Sequence, residues 1–235
     1  MSKLFGSDAQ KMQKHNIMKE DFGWEIPMEL VPIPSQGIIY HPDSSLYNKK
    51  TIKIKAMTAR EEDYLSSPAL IKEGTALDYV IKSCVLEDIN TDDLLIGDKN
   101  AILTSIRITG YGSNYDVKVR CNSCSVFNDI DINLTDLKIK RLELKPAQQN
   151  TNLFSYKLPV SGKHVLFKFN TTQLEKERRQ HIENLENLNL GNTIGQVTLF
   201  LEYAIHSIEG ITDKNKIKHF VMNMPARDAK SLRNF

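Results

Sequence analysis

The sequence predicts an α+β fold: mixed helices with small antiparallel sheets, a CxxC-containing β-hairpin and a more helical C-terminal lobe. Three observations predict it. Alternating apolar and polar residues mark short strands at 51–57, 115–120 and 164–169. Helical stripes open with capping residues and close on glycine, as at 98–112 and 172–191. A Cys-x-x-Cys turn, Cys121-Asn-Ser-Cys124, sits between two strand-like runs.

A chain of 235 residues is roughly one or two domains. It can bury on the order of 70% of its unfolded surface without staples. The 40% hydrophobic and 26% charged fractions suit a globular protein. A net charge of +2 does not suggest a dedicated nucleic-acid binder. Three cysteines argue against a disulfide framework and suit a reducing compartment. No apolar run approaches the ~20 residues that a membrane-spanning helix needs. The opening MSKLFGSDAQKMQKHN lacks an apolar signal core. The expected location is a cytoplasm, or a particle assembled in one.

The expected organisation is a flexible arm over 1–24, an α+β lobe over 25–145, and a hairpin plus helical lobe over 146–235. The arm is polar. It is either a loose terminus or a segment that orders on a partner, with Phe22 and Trp24 as anchors. Pro27, Pro32, Pro34 and Pro42 keep the next run extended. Its Leu30, Val31, Ile33, Ile38 and Ile39 favour docking onto the protein's own core over a free linker.

Ile52, Ile54 and Ala56 alternate with lysines in a half-buried strand. Thr58 and Glu61 form a capping box. The helix stops at Ser66-Ser67, Pro68 restarts another, and Gly74 ends it. Thr75 caps a helix whose buried face is Leu77, Ile81, Cys84 and Val85, so Cys84 reads as a small core residue. Asp98 is placed to cap the helix carrying Ile102, Leu103 and Ile106, with Gly110 and Gly112 at its end.

Tyr115, Val117 and Val119 alternate with Asp116, Lys118 and Arg120, and the strand returns through Ile130 and Ile132. Between them, Cys121 and Cys124 have the spacing of one zinc knuckle. A structural zinc needs four ligands, and no second pair follows. The readings are a metal-free turn, a partial zinc knuckle completed by histidine, Cys84 or a neighbouring subunit, and a redox dithiol. The metal-free turn is favoured, and no cofactor is expected.

KIKRLELK (138–145) reads as a basic, solvated edge strand. Leu153–Pro159 and His164–Phe169 read as a hairpin around Ser161-Gly162, with His164 exposed. Thr172 and Glu175 suggest a second capping box, opening a charged helix that ends at Gly191. Ile194–Ile208 reads as an apolar helix, and Ile217, Phe220, Val221 and Met224 as another, stopped by Pro225. The basic ending ARDAKSLRNF is either a frayed tail or a docking peptide presenting Phe235.

The phrases MTAREEDYLSSPALIKEGTALDYVIKSCV (57–85), DDLLIGDKNAILTSIRITGYGSNYDVKVRCNSC (92–124) and LPVSGKHVLFKF with its glutamate-rich helix (158–183) occur in this order. Together they resemble the baseplate hub and hub-assembly proteins of T4-like contractile-tailed phages, over about three quarters of the chain from Pro32 on. Related chains often read Cys-Pro-Ser-Cys-Gly and carry a second cysteine pair. Here Asn122 and Ser125 depart from that pattern, while Ser123 keeps it.

The resemblance implies a non-enzymatic structural or assembly role in the virion tail baseplate, assembled in the bacterial host cytoplasm. It implies other phage tail and baseplate proteins as partners within a symmetric multi-subunit assembly, with no membrane and no nucleic acid. Enzyme signatures such as GxSxG, HExxH or a phosphate loop are missing from the sequence, and no catalytic residue is singled out. The competing reading is a nucleic-acid-binding zinc-ribbon-like module built on Lys118, Arg120, the CxxC and KIKR.

Overall fold

Two antiparallel strands, β1 (Met28–Pro32) and β2 (Thr51–Lys55), open the fold of the computed structural model, which describes residues 22–187 and 195–234. Alternation turns Val31, Ile52 and Ile54 into the core and leaves Leu30 outside at 62% exposure. The proline-rich run docks on the protein's own core through Val31, Ile33, Ile39 and Tyr40. Gly37 makes this fold-back possible. Its φ is +72°, and a Cβ there would collide with the backbone of Leu46 and Lys49.

Helices α1 (Ala59–Ser66), α2 (Pro68–Glu73) and α3 (Ala76–Cys84) start and stop where expected, but the Thr75 hydroxyl turns to Glu73 and makes no capping bond to α3. Glu61 accepts from the Thr58 backbone N–H at 2.7 Å and from its hydroxyl at 2.6 Å. Ser67 accepts from the Leu70 N–H, and Gly74 closes α2 at φ +71°. On α3 the buried set is Ala76, Asp78, Val80, Ile81 and Cys84. Leu77 is 46% exposed. It stands in the first turn, where side chains lean toward the helix start and past the core. Cys84 is fully buried, and burial pushes its thiol up to about 11.

Helix α4 (Ile96–Tyr111) buries Ile102 and Ile106, with Leu103 half-buried, and stops at Gly112, φ +87°. Asp98 does not cap it. The helix starts two residues earlier, and the carboxylate turns inward, fully buried. There it accepts from the Ser35 N–H at 2.8 Å, the Ser35 hydroxyl at 2.5 Å and the Tyr40 hydroxyl at 2.6 Å. These bonds fasten the proline-rich run to α4.

A ribbon of β3 (Asn114–Arg120) and β4 (Phe127–Asn133) follows. Segment 138–145 forms no strand. Leu142 and Leu144 pack on the core, and the Leu142 N–H reaches the Pro34 carbonyl at 2.8 Å.

Strands β5 (Phe154–Lys157), β6 (His164–Phe167) and β7 (Ile205–Ile208) form an antiparallel sheet in that order. Val165 and Phe167 face the core and His164 is exposed, as the alternation requires. The third strand is a correction. The described part of 194–208 is helix α6 (Gln196–Ala204) running directly into β7. Cross-strand bonding to β6 overrides the helical pattern, and β-branched Ile205 and Ile208 suit it.

Helix α5 (Thr172–Asn187) begins with Thr171 as its cap, one residue before the expected Thr172. Thr171 accepts from the Leu174 N–H at 3.2 Å, while the Thr172 hydroxyl is buried against the Leu94 carbonyl. Gly191 and Ile194 lie outside the described residues.

Helices α7 (Lys214–Met222) and α8 (Ala226–Arg233) complete the fold. The basic ending is neither frayed nor free up to Arg233. Asp228 is fully buried and accepts from the N–H groups of Val160 at 2.7 Å and Ser161 at 3.0 Å, and Leu232 enters the core.

One hydrophobic cluster runs from Val31 to Leu232. An ionic clasp crosses it near the surface. Lys176 of α5 reaches Asp78 and Asp92, each at 2.7 Å, and Lys99 reaches Asp78 at 2.6 Å. No helix among the described residues is long and apolar enough to cross a membrane.

Candidate assembly interface

The β3–β4 ribbon stands clear of the core. Of its fourteen residues only Val117 is half-buried, and the rest are exposed. Directly paired residues share a face. One face therefore carries the pairs Tyr115–Ile132, Val117–Ile130 and Val119–Asn128. The other carries Asp116–Asp131, Lys118–Asp129 and Arg120–Phe127.

An isolated two-stranded ribbon is marginal in water. This one is fixed at its base. Arg107 of α4 donates to the Gly112 carbonyl at 3.0 Å and the Asn114 carbonyl at 3.3 Å, and lies over the Tyr111 and Tyr115 rings at 4.7 and 5.8 Å. The Leu134 N–H closes the ribbon onto the Ser113 carbonyl at 2.9 Å.

The base is firm and both faces are wet. Tyr115, Val119, Ile130 and Ile132 form an apolar strip left exposed by the described residues, although a half-buried strand would hide it. The opposite face has three aspartates against Lys118 and Arg120. Asp116 and Asp131 stand directly opposite each other, an unfavourable pairing that an approaching cation relieves. The Lys118–Asp129 pair, 3.7 Å apart and more than three-quarters exposed, contributes little by itself.

The hairpin turn brings Cys121 and Cys124 together, both free thiols. N–H groups of Cys124 and Ser123 aimed at the Cys121 sulfur hold that thiol below its ordinary range. Among the described residues no group of three or more His, Cys, Asp or Glu is gathered to hold a metal ion. Phe22 and Trp24 are 71% and 48% exposed, near the outward Met28 and Leu30 in the chain. Phe235 lies outside the described residues. Sequence reasoning did not mark the apolar strip as uncovered, because alternation looks the same whichever molecule covers it.

A cleft of about 650 Å³ lies beside α4, lined by Leu95, Leu142, Phe167, Phe169, Phe200 and Leu232 among others. Its buried acid, Asp98, is saturated by Ser35 and Tyr40. Burial outweighs those hydrogen bonds and raises its pKa. The acid is spent on holding the fold together.

A family model described as T4 bacteriophage base plate protein matches residues 40–235. No curated protein matches the chain, and no solved structure does. The family match takes in the ribbon, the CxxC turn and the core from Tyr40 onward, and the chain belongs to the T4 bacteriophage base plate protein family.

Proposed function

We propose that this baseplate protein is a non-enzymatic component of the central hub, or of its assembly, and that it works by packing against neighbouring tail proteins. The observation that carries the reading is the projecting β3–β4 ribbon, anchored at its base and bare on its apolar strip. A face of this kind is stable in water only in part, and it becomes useful when a partner's apolar surface covers it. The exposed Phe22 and Trp24 extend the surface available for such contacts.

The net negative face behind the strip disfavours the alternative of nucleic-acid binding, which needs a surplus of lysine and arginine facing phosphates.

Replacing the cross-strand pair, Val117→Thr with Ile130→Thr, tests the reading. Both side chains lie outside the core and threonine keeps the strand preference without adding charge, so the unfolding free energy of the purified chain should stay within ~0.5 kcal/mol of the parent. A phage supplied only with this variant should assemble few baseplates, as seen by electron microscopy and mass spectrometry of isolated tails. Normal baseplates and normal infectivity would sink the proposal. A steep, salt-sensitive affinity for DNA in the parent chain would favour the nucleic-acid reading instead.

A further inference from the structure

The turn at the ribbon tip is closed by two backbone hydrogen bonds. The Cys121 N–H donates to the Val126 carbonyl at 2.8 Å, and the Ser125 N–H donates to the Cys121 carbonyl at 2.9 Å. Ser125 takes φ +59°, a left-handed conformation unusual for a residue with a side chain. These bonds fold the chain back at Cys121, so that it and Cys124, both free thiols, share one turn at the tip. This is how a Cys-x-x-Cys turn presents two sulfurs to one tetrahedral ion.

The turn supplies two donors of the four that a closed site needs. The described residues of this chain gather no further ligand beside it. The tip is also free to meet another molecule, because the ribbon holds it away from the core and Cys124 is exposed. A two-fold axis through an ion at the tip would bring up an identical pair. Such a meeting would cover Val126 and Phe127, now 58% and 66% exposed. It would also balance charge. Four thiolates around a divalent cation leave two negative charges, and each copy brings Arg120, whose Nε lies 3.4 Å from the Ser125 carbonyl.

We propose that Cys121 and Cys124 are half of a four-thiolate site for a soft divalent cation such as Zn²⁺, completed by the same pair from a second copy of the chain. On binding, each S–H bond gives its proton to solvent as a sulfur–metal bond forms, and nothing is oxidised or reduced. The site goes beyond the packing role of the ribbon's apolar strip, and either can fail without the other.

The test uses the full-length, reduced chain, with Co²⁺ as the spectroscopic probe and Zn²⁺ as competitor. Sulfur-to-cobalt charge transfer and the visible bands of a tetrahedral ion should saturate at one ion per two chains. The molar mass from light scattering should double, and both changes should reverse with a chelator. Zinc should displace the cobalt and keep the doubled mass. Cys121→Ser with Cys124→Ser should lose the bands and the doubling, while circular dichroism shows an unchanged fold. Cys124→Ser alone should weaken cobalt binding at least tenfold. Absent charge transfer, saturation at one ion per chain with unchanged mass, or a doubling that survives in the double variant would each overturn the proposal.

Discussion

Replacing Glu61 by glutamine should remove a well-defined part of this protein's acid sensitivity. Glu61 is fully buried where α1 meets β2 and α3. Its carboxylate takes hydrogen bonds from the Thr58 N–H and hydroxyl and from the Ser83 hydroxyl, and Lys55 stands 3.3 Å away. Burial opposes ionisation, but the donors from Ser83 and Thr58 and the charge of Lys55 outweigh it. They bring the pKa from 4.5 down to about 2. That fall corresponds to about 3 kcal/mol of folding free energy, at ~1.4 kcal/mol for each tenfold change in proton affinity.

A depressed acid stabilises the fold fully above its unfolded pKa. The stabilisation drains away as pH falls from about 4.5 toward about 2. Glutamine keeps the shape but turns an N–H₂ toward groups that are themselves donors. Glu61→Gln should therefore be less stable by about 2–3 kcal/mol at pH 7 and converge on the parent near pH 2. Urea unfolding midpoints across this range measure it. Asp78 and Asp228 also have lowered pKa values, so the decisive quantity is the difference between the two proteins. Parallel curves would refute the reasoning.

Two further substitutions probe the long-range ties. Asp98→Ala strands three buried donors from Ser35 and Tyr40 and should cost about 3–5 kcal/mol in urea unfolding. With the pKa of Asp98 raised by burial, the parent should lose stability as pH climbs from ~3.9 through the raised value, and Asp98→Asn should lack that decline. Lys176→Met leaves Asp78 with Lys99 alone and should cost about 1–2 kcal/mol, an effect that shrinks in Lys176→Arg.

What could be read from the residues was local. Thr58 and Glu61 are three positions apart, Ser67 and Pro68 are adjacent, and the Cys121–Cys124 turn closes on itself. Their partners lie within one turn of chain, so the pattern carries the structure. Leu77 and the one-residue shift of the α5 cap to Thr171 were local misreadings; the larger ones were decided at a distance. Asp98 looks like a cap because its true partners, Ser35 and Tyr40, lie about sixty positions away. Strand β7 looks like the end of a helix until β6 supplies a ladder. The ending 226–233 looks like a loose basic tail because Asp228 finds its donors at Val160 and Ser161. Segment 138–145 has strand-like alternation but gains no neighbouring ladder. At the ribbon, Tyr115 and Ile132 could be read as paired strand residues, but their exposure could not.

The junction of α4 with the ribbon has a mechanical consequence. The helix is sixteen residues long and the strand seven, so each arm measures roughly 24 Å. The arms meet at Gly112, the joint with the least side-chain bulk, and Arg107 braces it from one side. One end of this lever is rooted at Asp98, deep in the protein, and the other stands in solvent. A push on the tip would reach the helix through this joint, which Arg107 holds with two hydrogen bonds.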